Sequence, residues 1–140
     1  MPSNTLYNPV RTVDFDKTKL TFDGQGVSAT ITAGATSNLD YILTDDCLIT
    51  GLELIVNDGN YGDTVSLRLV DTTGFTGYPA GTVLDQFGTN WNIAPVSDTQ
   101  FDIVYPAKII AGLTLRVAYT STGSNDVFLA VNYKLHKVLV

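Results

Sequence analysis

Residues that could act as nucleophiles or zinc ligands are few in this chain of 140 residues. Cys47 is its only cysteine and His136 its only histidine, so no internal disulfide can form. Cys47 begins an apolar segment, which predicts a buried, inert thiol rather than a nucleophile. His136 lies between lysines at the end of the last apolar run, which predicts a surface imidazole. One histidine and one cysteine do not make up the ligand set of a zinc site.

Carboxylates are more numerous, with 14 Asp and Glu residues in the chain. The segment Asp58–Asp63 and the pair Asp45 and Asp46 offer oxygen ligands of the kind that Ca²⁺ prefers. The closing Glu of an EF-hand is absent, however, and Asn-Asp-Gly-Asn is also typical of a tight turn, which we favour here. Glycoside hydrolysis needs a pair of carboxylates, and nothing in the sequence gives the single glutamate, Glu53, a partner. We therefore predict no enzymatic activity, no catalytic residues, and no bound metal or cofactor.

Four aromatic residues cluster in the irregular segment 72–98. Stacked on a sugar ring, they would form a glycan-binding site; set against another subunit, they would be anchors of an interface. They could equally cap the core of the domain, and the sequence leaves these three interpretations open. The candidate ligand or interface aromatics are Phe75, Tyr78, Phe87 and Trp91.

The elements that must position these residues are strands, because apolar residues recur at every second position and no segment shows a helical period. The clearest run has Val127, Leu129 and Val131 on one face and Ala130 and Asn132 on the other. We predict an all-β chain with one antiparallel β-sandwich, a jelly roll, over residues 25–140. A turn signal between residues 113–120 and 127–136 predicts that these two strands form a hairpin.

The first residues of the chain have a different pattern. Residues 1–24 show no sustained alternation and are predicted to form an extended N-terminal arm, with a short strand near its end. The arm is too apolar for a solvated tail, so it packs either along its own sandwich or against a neighbouring subunit. Its predicted partner-binding residues are Leu6, Tyr7, Val10, Val13 and Phe15.

Charge and hydropathy exclude some classes of partner. The net charge is −6 and charged residues make up 16% of the chain. Binding of nucleic acid depends on clustered Lys and Arg, so this acidic chain is not expected to bind it. No apolar stretch approaches the ~20 residues that a membrane span needs, and the N-terminus lacks the pattern of a signal peptide. We therefore expect no membrane association, and synthesis in the cytoplasm.

Three strings of the sequence resemble a group of small virion proteins of tailed bacteriophages. They are LTDDCLITGLELIVNDGNYGDTVSLRLVD, YPAKIIAGLTLRVAYTSTG and VFLAVNYKLHKVL, and together they cover roughly residues 43–139. The resemblance implies a jelly-roll structural protein located in the virion. It implies either a capsid decoration (cement) protein, which we favour, or a component of the tail or baseplate.

The resemblance also implies the partners. Such proteins are often cyclic homo-oligomers, so a homotrimer is expected, in contact with other virion proteins such as the major capsid protein. Binding of a host glycan through the exposed aromatics is the alternative from another functional class.

Overall fold

The computed structural model describes residues 20–103 and 108–138, with side chains for residues 26–103 and 108–136. Within these ranges the chain forms strands and turns, and no helix is long and apolar enough to cross a bilayer. The strands are β1 (Leu20–Ile31), β2 (Thr36–Ile42), β3 (Cys47–Asn57), β4 (Thr64–Asp71), β5 (Thr82–Asn92), β6 (Ser97–Asp102), β7 (Lys108–Ile109), β8 (Thr114–Thr120) and β9 (Val127–Val138).

The strands form two sheets in which all paired neighbours are antiparallel. One sheet has the order β1-β9-β3-β6, and the short β7 pairs with the start of β3. The other sheet has the order β2-β8-β4-β5. Most connections therefore cross from one sheet to the other, and only β4 and β5 are adjacent both in sequence and in a sheet. This arrangement is a jelly roll, which confirms the predicted all-β sandwich.

Alternate side chains of the strands are buried between the sheets, as the period-two pattern predicts. In β9, Val127, Leu129 and Val131 are fully buried, whereas Phe128 is 44% exposed on the outer face. Cys47 lies at the start of β3 with a buried thiol, which confirms its predicted burial. The core is therefore built from the inward residues of both sheets.

The hairpin predicted for residues 113–120 and 127–136 is wrong. β8 pairs with β2 and β4, whereas β9 pairs with β1 and β3 in the opposite sheet. The turn signal in residues 121–126 marks where the chain reverses, but it does not determine which sheet the next strand joins. Apolar and polar residues alternate in both strands in the same way whether the loop connects neighbours in one sheet or crosses from one sheet to the other.

The N-terminal boundary of the sandwich lies before residue 25. β1 begins at Leu20, which is paired with Val138, and Gly24 is paired with Lys134. Residues 20–24, predicted to belong to the arm, are therefore part of a ladder with β9. The five apolar arm residues named above lie outside the described residues, and their role stays a prediction.

Strand β5 differs most from its sequence pattern. The sequence predicts an irregular segment over residues 72–98, but β5 is one strand of 11 residues with three register shifts against β4. Each shift inserts an extra residue, so the side chains that pack against the core come at unequal intervals, at Leu84, Phe87 and Trp91. An edge strand with bulges of this kind is also a poor template for pairing with another chain.

A stacked aromatic pair closes the side of the sandwich between the edge strands β5 and β6. The Trp91 and Phe101 rings lie 4.1 Å apart at an angle of 9°. The indole covers Gly88, because a Cβ atom added at Gly88 would overlap with the Trp91 ring. A glycine is therefore required in this part of β5 for the stack to form.

We predict that Gly88→Ala lowers the free energy of unfolding by about 1–3 kcal/mol, because the new methyl group must displace the stacked indole. Urea denaturation followed by Trp91 fluorescence measures the effect. Gly26→Ala in the edge strand β1 is the matched control, since the one close contact of its Cβ would be with Asn132 Oδ1, at 2.5 Å, at the end of a side chain, and the nearest backbone atom, Val131 O, would lie 3.5 Å away. Equal stabilities of Gly88→Ala and the parent would contradict the account of the stack.

Candidate functional site

The loops of the sandwich gather at its two ends. The Asp63 end is formed by loops 32–35, 58–63, 93–96 and 121–126. Backbone hydrogen bonds join these loops, including one of 2.9 Å from Gly59 N to Pro95 O, one of 3.0 Å from Ile93 N to Asp63 O, and one of 2.9 Å from Ser121 N to Ala35 O.

The opposite end, here called the Phe75 end, is formed by loops 43–46, 72–81 and 110–113. The Leu43 amide donates to Leu113 O at 2.9 Å, and the Gly112 amide donates to Leu43 O at 2.8 Å. The two ends therefore present separate surfaces, and each is built from segments that are distant in sequence.

A fully buried carboxylate organises the Asp63 end. Asp63 accepts four hydrogen bonds: from the Asn60 backbone N–H (3.0 Å), the Tyr119 hydroxyl (2.6 Å), and the Thr122 backbone N–H (2.8 Å) and hydroxyl (3.0 Å). One side chain thus ties the loop before β4 to β8 and to the loop after β8. The segment Asp58–Asp63 is a structured turn, as the sequence favours, and its buried carboxylate is used as an acceptor within the protein.

The electrostatics of Asp63 follow from this network. Burial alone would raise the pKa of its carboxyl group, but the hydrogen bonds from Tyr119, Thr122 and Asn60 outweigh burial and hold the pKa below its ordinary value. For Tyr119, burial first and the adjacent carboxylate second raise the pKa of the hydroxyl well above its ordinary value. Asp63 is therefore a charged acceptor and Tyr119 a neutral donor at neutral pH.

A second buried carboxylate organises the Phe75 end. Asp71, the last residue of β4, accepts hydrogen bonds from the Thr73, Gly74 and Thr76 amides at 3.3, 2.8 and 2.9 Å, and from the Thr76 hydroxyl. Burial opposes the charged form, but these donors lower the pKa of Asp71 below its ordinary value. The loop 72–81 is thus folded around a carboxylate.

The predicted aromatic cluster does not form one site. Phe87 and Trp91 are partly buried against the core, whereas Phe75 and Tyr78 are 51% and 60% exposed on loop 72–81. Phe87 and Trp91 therefore cap the core, which is one of the three interpretations that the sequence left open. Phe75 and Tyr78 face solvent, as a binding role requires, and that role stays a prediction.

Two exposed isoleucines accompany these aromatics at the Phe75 end. Ile42, at the end of β2, is 59% exposed, and Ile110, after β7, is 44% exposed. A Cβ atom added at Gly112 would lie 3.2 Å from the Phe75 ring, so that ring lies against the loop that contains Ile110. Sequence reasoning missed both isoleucines. Ile110 could have been noticed because it directly follows Ile109 and so breaks the apolar-polar alternation. Ile42 could have been noticed as an apolar residue at an outward position at the end of β2.

The outer faces of the two sheets carry many polar side chains. Arg116 donates to both carboxylate oxygens of Asp40, at 2.8 and 2.9 Å, and Arg68 Nε donates to Gln86 Oε1 at 3.0 Å on the same face. On the other face, Thr50 Oγ1 lies 3.0 Å from the His136 Nε2 atom. His136 is therefore a hydrogen-bonded, partly exposed side chain.

The structure gives Glu53 the carboxyl neighbour that the sequence does not reveal. A hydrogen bond with Asp98 across β3 and β6 lowers the pKa of Glu53, and the same contact raises the pKa of Asp98. Glu53 Oε1 also accepts from Asn132 Nδ2 at 3.0 Å. The pair links neighbouring strands of the sheet, since Asp98 is aligned with Ile55, two residues from Glu53.

Comparison with known proteins gives similarity of structure only. The sequence matches no protein-family model and no curated protein. The VP2 subviral particle of infectious bursal disease virus is 15% identical over 85% of this chain and 32% of that chain, with a TM-score of 0.43. The Gx strain of this virus gives 13% identity over 85% and 31%, with a TM-score of 0.42. The dimeric latent PorU of Porphyromonas gingivalis gives 12% identity over 86% and 13%, with a TM-score of 0.36. The chain thus spans about a third of the length of the viral chains.

We predict that Asp63→Asn lowers the free energy of unfolding by roughly 3 kcal/mol at pH 7, because the amide cannot accept all four buried donors and loses the charge that strengthens those bonds. Chemical denaturation measures the loss. Asp58→Asn is the matched control: Asp58 is exposed in the same loop, and its φ of 58° is one that asparagine adopts readily. This control is expected to change stability by less than about 0.5 kcal/mol.

Lowering the pH tests how much of the stabilisation by Asp63 depends on its charge, because acid neutralises the carboxylate without changing the shape of the side chain. In the folded protein the pKa of Asp63 lies below the ordinary value of 3.8. The contribution of its charged carboxylate to the free energy of unfolding is therefore complete above pH 3.8 and is lost as the pH falls through the pKa of the folded state. The difference between the parent and Asp63→Asn should therefore shrink on acidification below about pH 4. A difference that is constant or grows in acid would contradict the role of the charged carboxylate.

Proposed function

We propose that this protein is a non-enzymatic structural component of a virus particle and that it acts by packing against copies of itself and other proteins of the particle. The observation that carries the proposal is the group of exposed apolar side chains on the hydrogen-bonded loops of the Phe75 end. Side chains of this kind, held on rigid loops, are typical anchors of protein interfaces.

The use of the carboxylates supports a structural rather than a catalytic role. Asp63 and Asp71 are occupied by donors within their own loops, and Asp40 is held by Arg116. Asp46 accepts from the Ala111 amide at 2.9 Å, and Lys108 Nζ lies 4.0 Å from it. Each of these carboxylates fixes a loop or a strand, which is what an assembly component requires of its polar residues.

The sequence resemblance to small virion proteins of tailed bacteriophages makes the proposed role more specific. We infer a capsid decoration protein of a tailed bacteriophage, acting as a homotrimer on the major capsid protein and located in the virion; a tail or baseplate component is the alternative. The low proportion of charged residues, 16%, favours extended contact with neighbours because few charges would need to lose their water.

Removal of residues 1–19 tests the assembly role. We expect the shortened protein to fold but to be depleted from purified particles of the virus that encodes it, as measured by quantitative mass spectrometry. The deletion must stop before Leu20, because removing residues 20–24 would also destroy part of the ladder with β9. Absence of the intact protein from particles would refute the proposal, whereas full occupancy of the shortened protein would refute only a role of residues 1–19 in assembly. A copy number close to that of the main shell protein favours decoration, and a few copies favour the tail.

Glycan binding is a second candidate, favoured by the exposure of Phe75 and Tyr78 on a loop that Asp71 holds in place. If a sugar stacks on these rings, a glycan array should give signals that Tyr78→Ala abolishes and Phe128→Ala leaves unchanged. Phe128 is the matched control because it is a similarly exposed aromatic, on the outer face of β9. Binding that survives Tyr78→Ala, or an array without signals, would exclude this candidate. Trp91 is unsuitable for the test because it belongs to the stacked pair with Phe101.

A further inference from the structure

The Phe75 end carries an apolar patch that the described part of the chain leaves open. Its four members, here called the apolar patch, have exposed fractions between 44% and 60%. Single exposed apolar residues are common, but a group at one end of a domain indicates a surface that another chain covers. The members of the apolar patch are Ile42, Phe75, Tyr78 and Ile110.

The loops beneath the apolar patch are held in place. Loop 72–81 is fixed by Asp71, and loops 43–46 and 110–113 are joined through Leu43 and Gly112. These loops therefore lose little conformational entropy when a partner binds.

The N-terminal segment joins the sandwich at the same end. Leu20 is paired with Val138 at the start of β1, and the strand runs to Ile31, next to the loops of the Asp63 end. Residues 1–19 therefore connect to the fold at the Phe75 end. They include the five apolar residues predicted above to bind a partner and, fully extended, could span up to about 60 Å, far enough to reach a neighbouring domain.

We propose that residues 1–19 of one copy dock on the apolar patch of a second copy of this chain. The inference rests on the proposed assembly role and assigns its contact surfaces. β1 enters the sandwich from the Phe75 end, so the preceding chain must reverse direction to cover its own patch. Residues 10–19 contain no glycine, proline, asparagine or serine, and Asp14 and Asp16 are their only residues of the types that dominate tight turns, so the sequence favours a neighbour as the acceptor.

Photo-cross-linking of the full chain tests this arrangement. A photoreactive phenylalanine analogue replaces Phe15, and equal amounts of ¹⁴N- and ¹⁵N-labelled protein are unfolded together, refolded and irradiated. We expect mass spectrometry to show cross-links from position 15 to the peptides that contain Phe75 and Ile110, with mixed-isotope pairs as frequent as uniform ones. Cross-links only within one chain, cross-links mainly to other surfaces, or no cross-links would each overturn the proposal.

Two double variants complete the test. Phe75→Ser with Ile110→Ser should reduce the mixed-isotope cross-links at least about tenfold, because two interface anchors are lost. Tyr61→Ser with Val96→Ser is the control at the Asp63 end, where these side chains are 91% and 72% exposed. An equal loss in both double variants, with unchanged thermal unfolding, would also overturn the proposal. A negative result, combined with normal incorporation of the parent protein into particles, would refute this contact and leave the assembly role standing.

Discussion

Two buried carboxylates, one just before β4 and one at its end, hold the loops of this sandwich in place. Asp63 gathers donors from loop 58–63, from β8 and from loop 121–126, and Asp71 folds loop 72–81 around itself. Both carry a lowered pKa, because the hydrogen bonds that they accept outweigh the cost of burying a charge. The ends of the jelly roll are therefore fixed surfaces at neutral pH, and the strand between them belongs to the core.

The two ends differ in where the N-terminal segment joins the fold, since β1 begins at the Phe75 end. The Phe75 end presents four apolar side chains and is where residues 1–19 join the fold, whereas Arg116, Asp40 and Arg68 lie on the outer face of one sheet. An end that combines exposed apolar side chains with the point where residues 1–19 join the fold is suited to contacts that run from copy to copy through that end. Together with the bulged edge strand β5, this arrangement disfavours uncontrolled pairing of sheet edges.

The period-two pattern is sufficient to predict the sandwich, because burial between two sheets determines every second residue of strands such as β9. It cannot predict which sheet each strand joins, and so the hairpin of β8 and β9 was predicted wrongly. In β5, bulges replace strict alternation and place Phe87 and Trp91 against the core, although their sequence context favours a loop. Asp63 and Asp71 were not recognisable as organisers of loops, since their donors depend on contacts that only the folded chain creates.

Hydrogen exchange of the intact chain, compared between its assembled and dissociated states, tests whether the Phe75 end is the contact surface and the Asp63 end is already fixed. We predict that assembly slows exchange in loops 72–81 and 110–113 and leaves exchange in loops 58–63 and 121–126 unchanged, because the latter two are already protected by Asp63. Protection confined to the Asp63 end, or no difference between the two states at the Phe75 end, would contradict it.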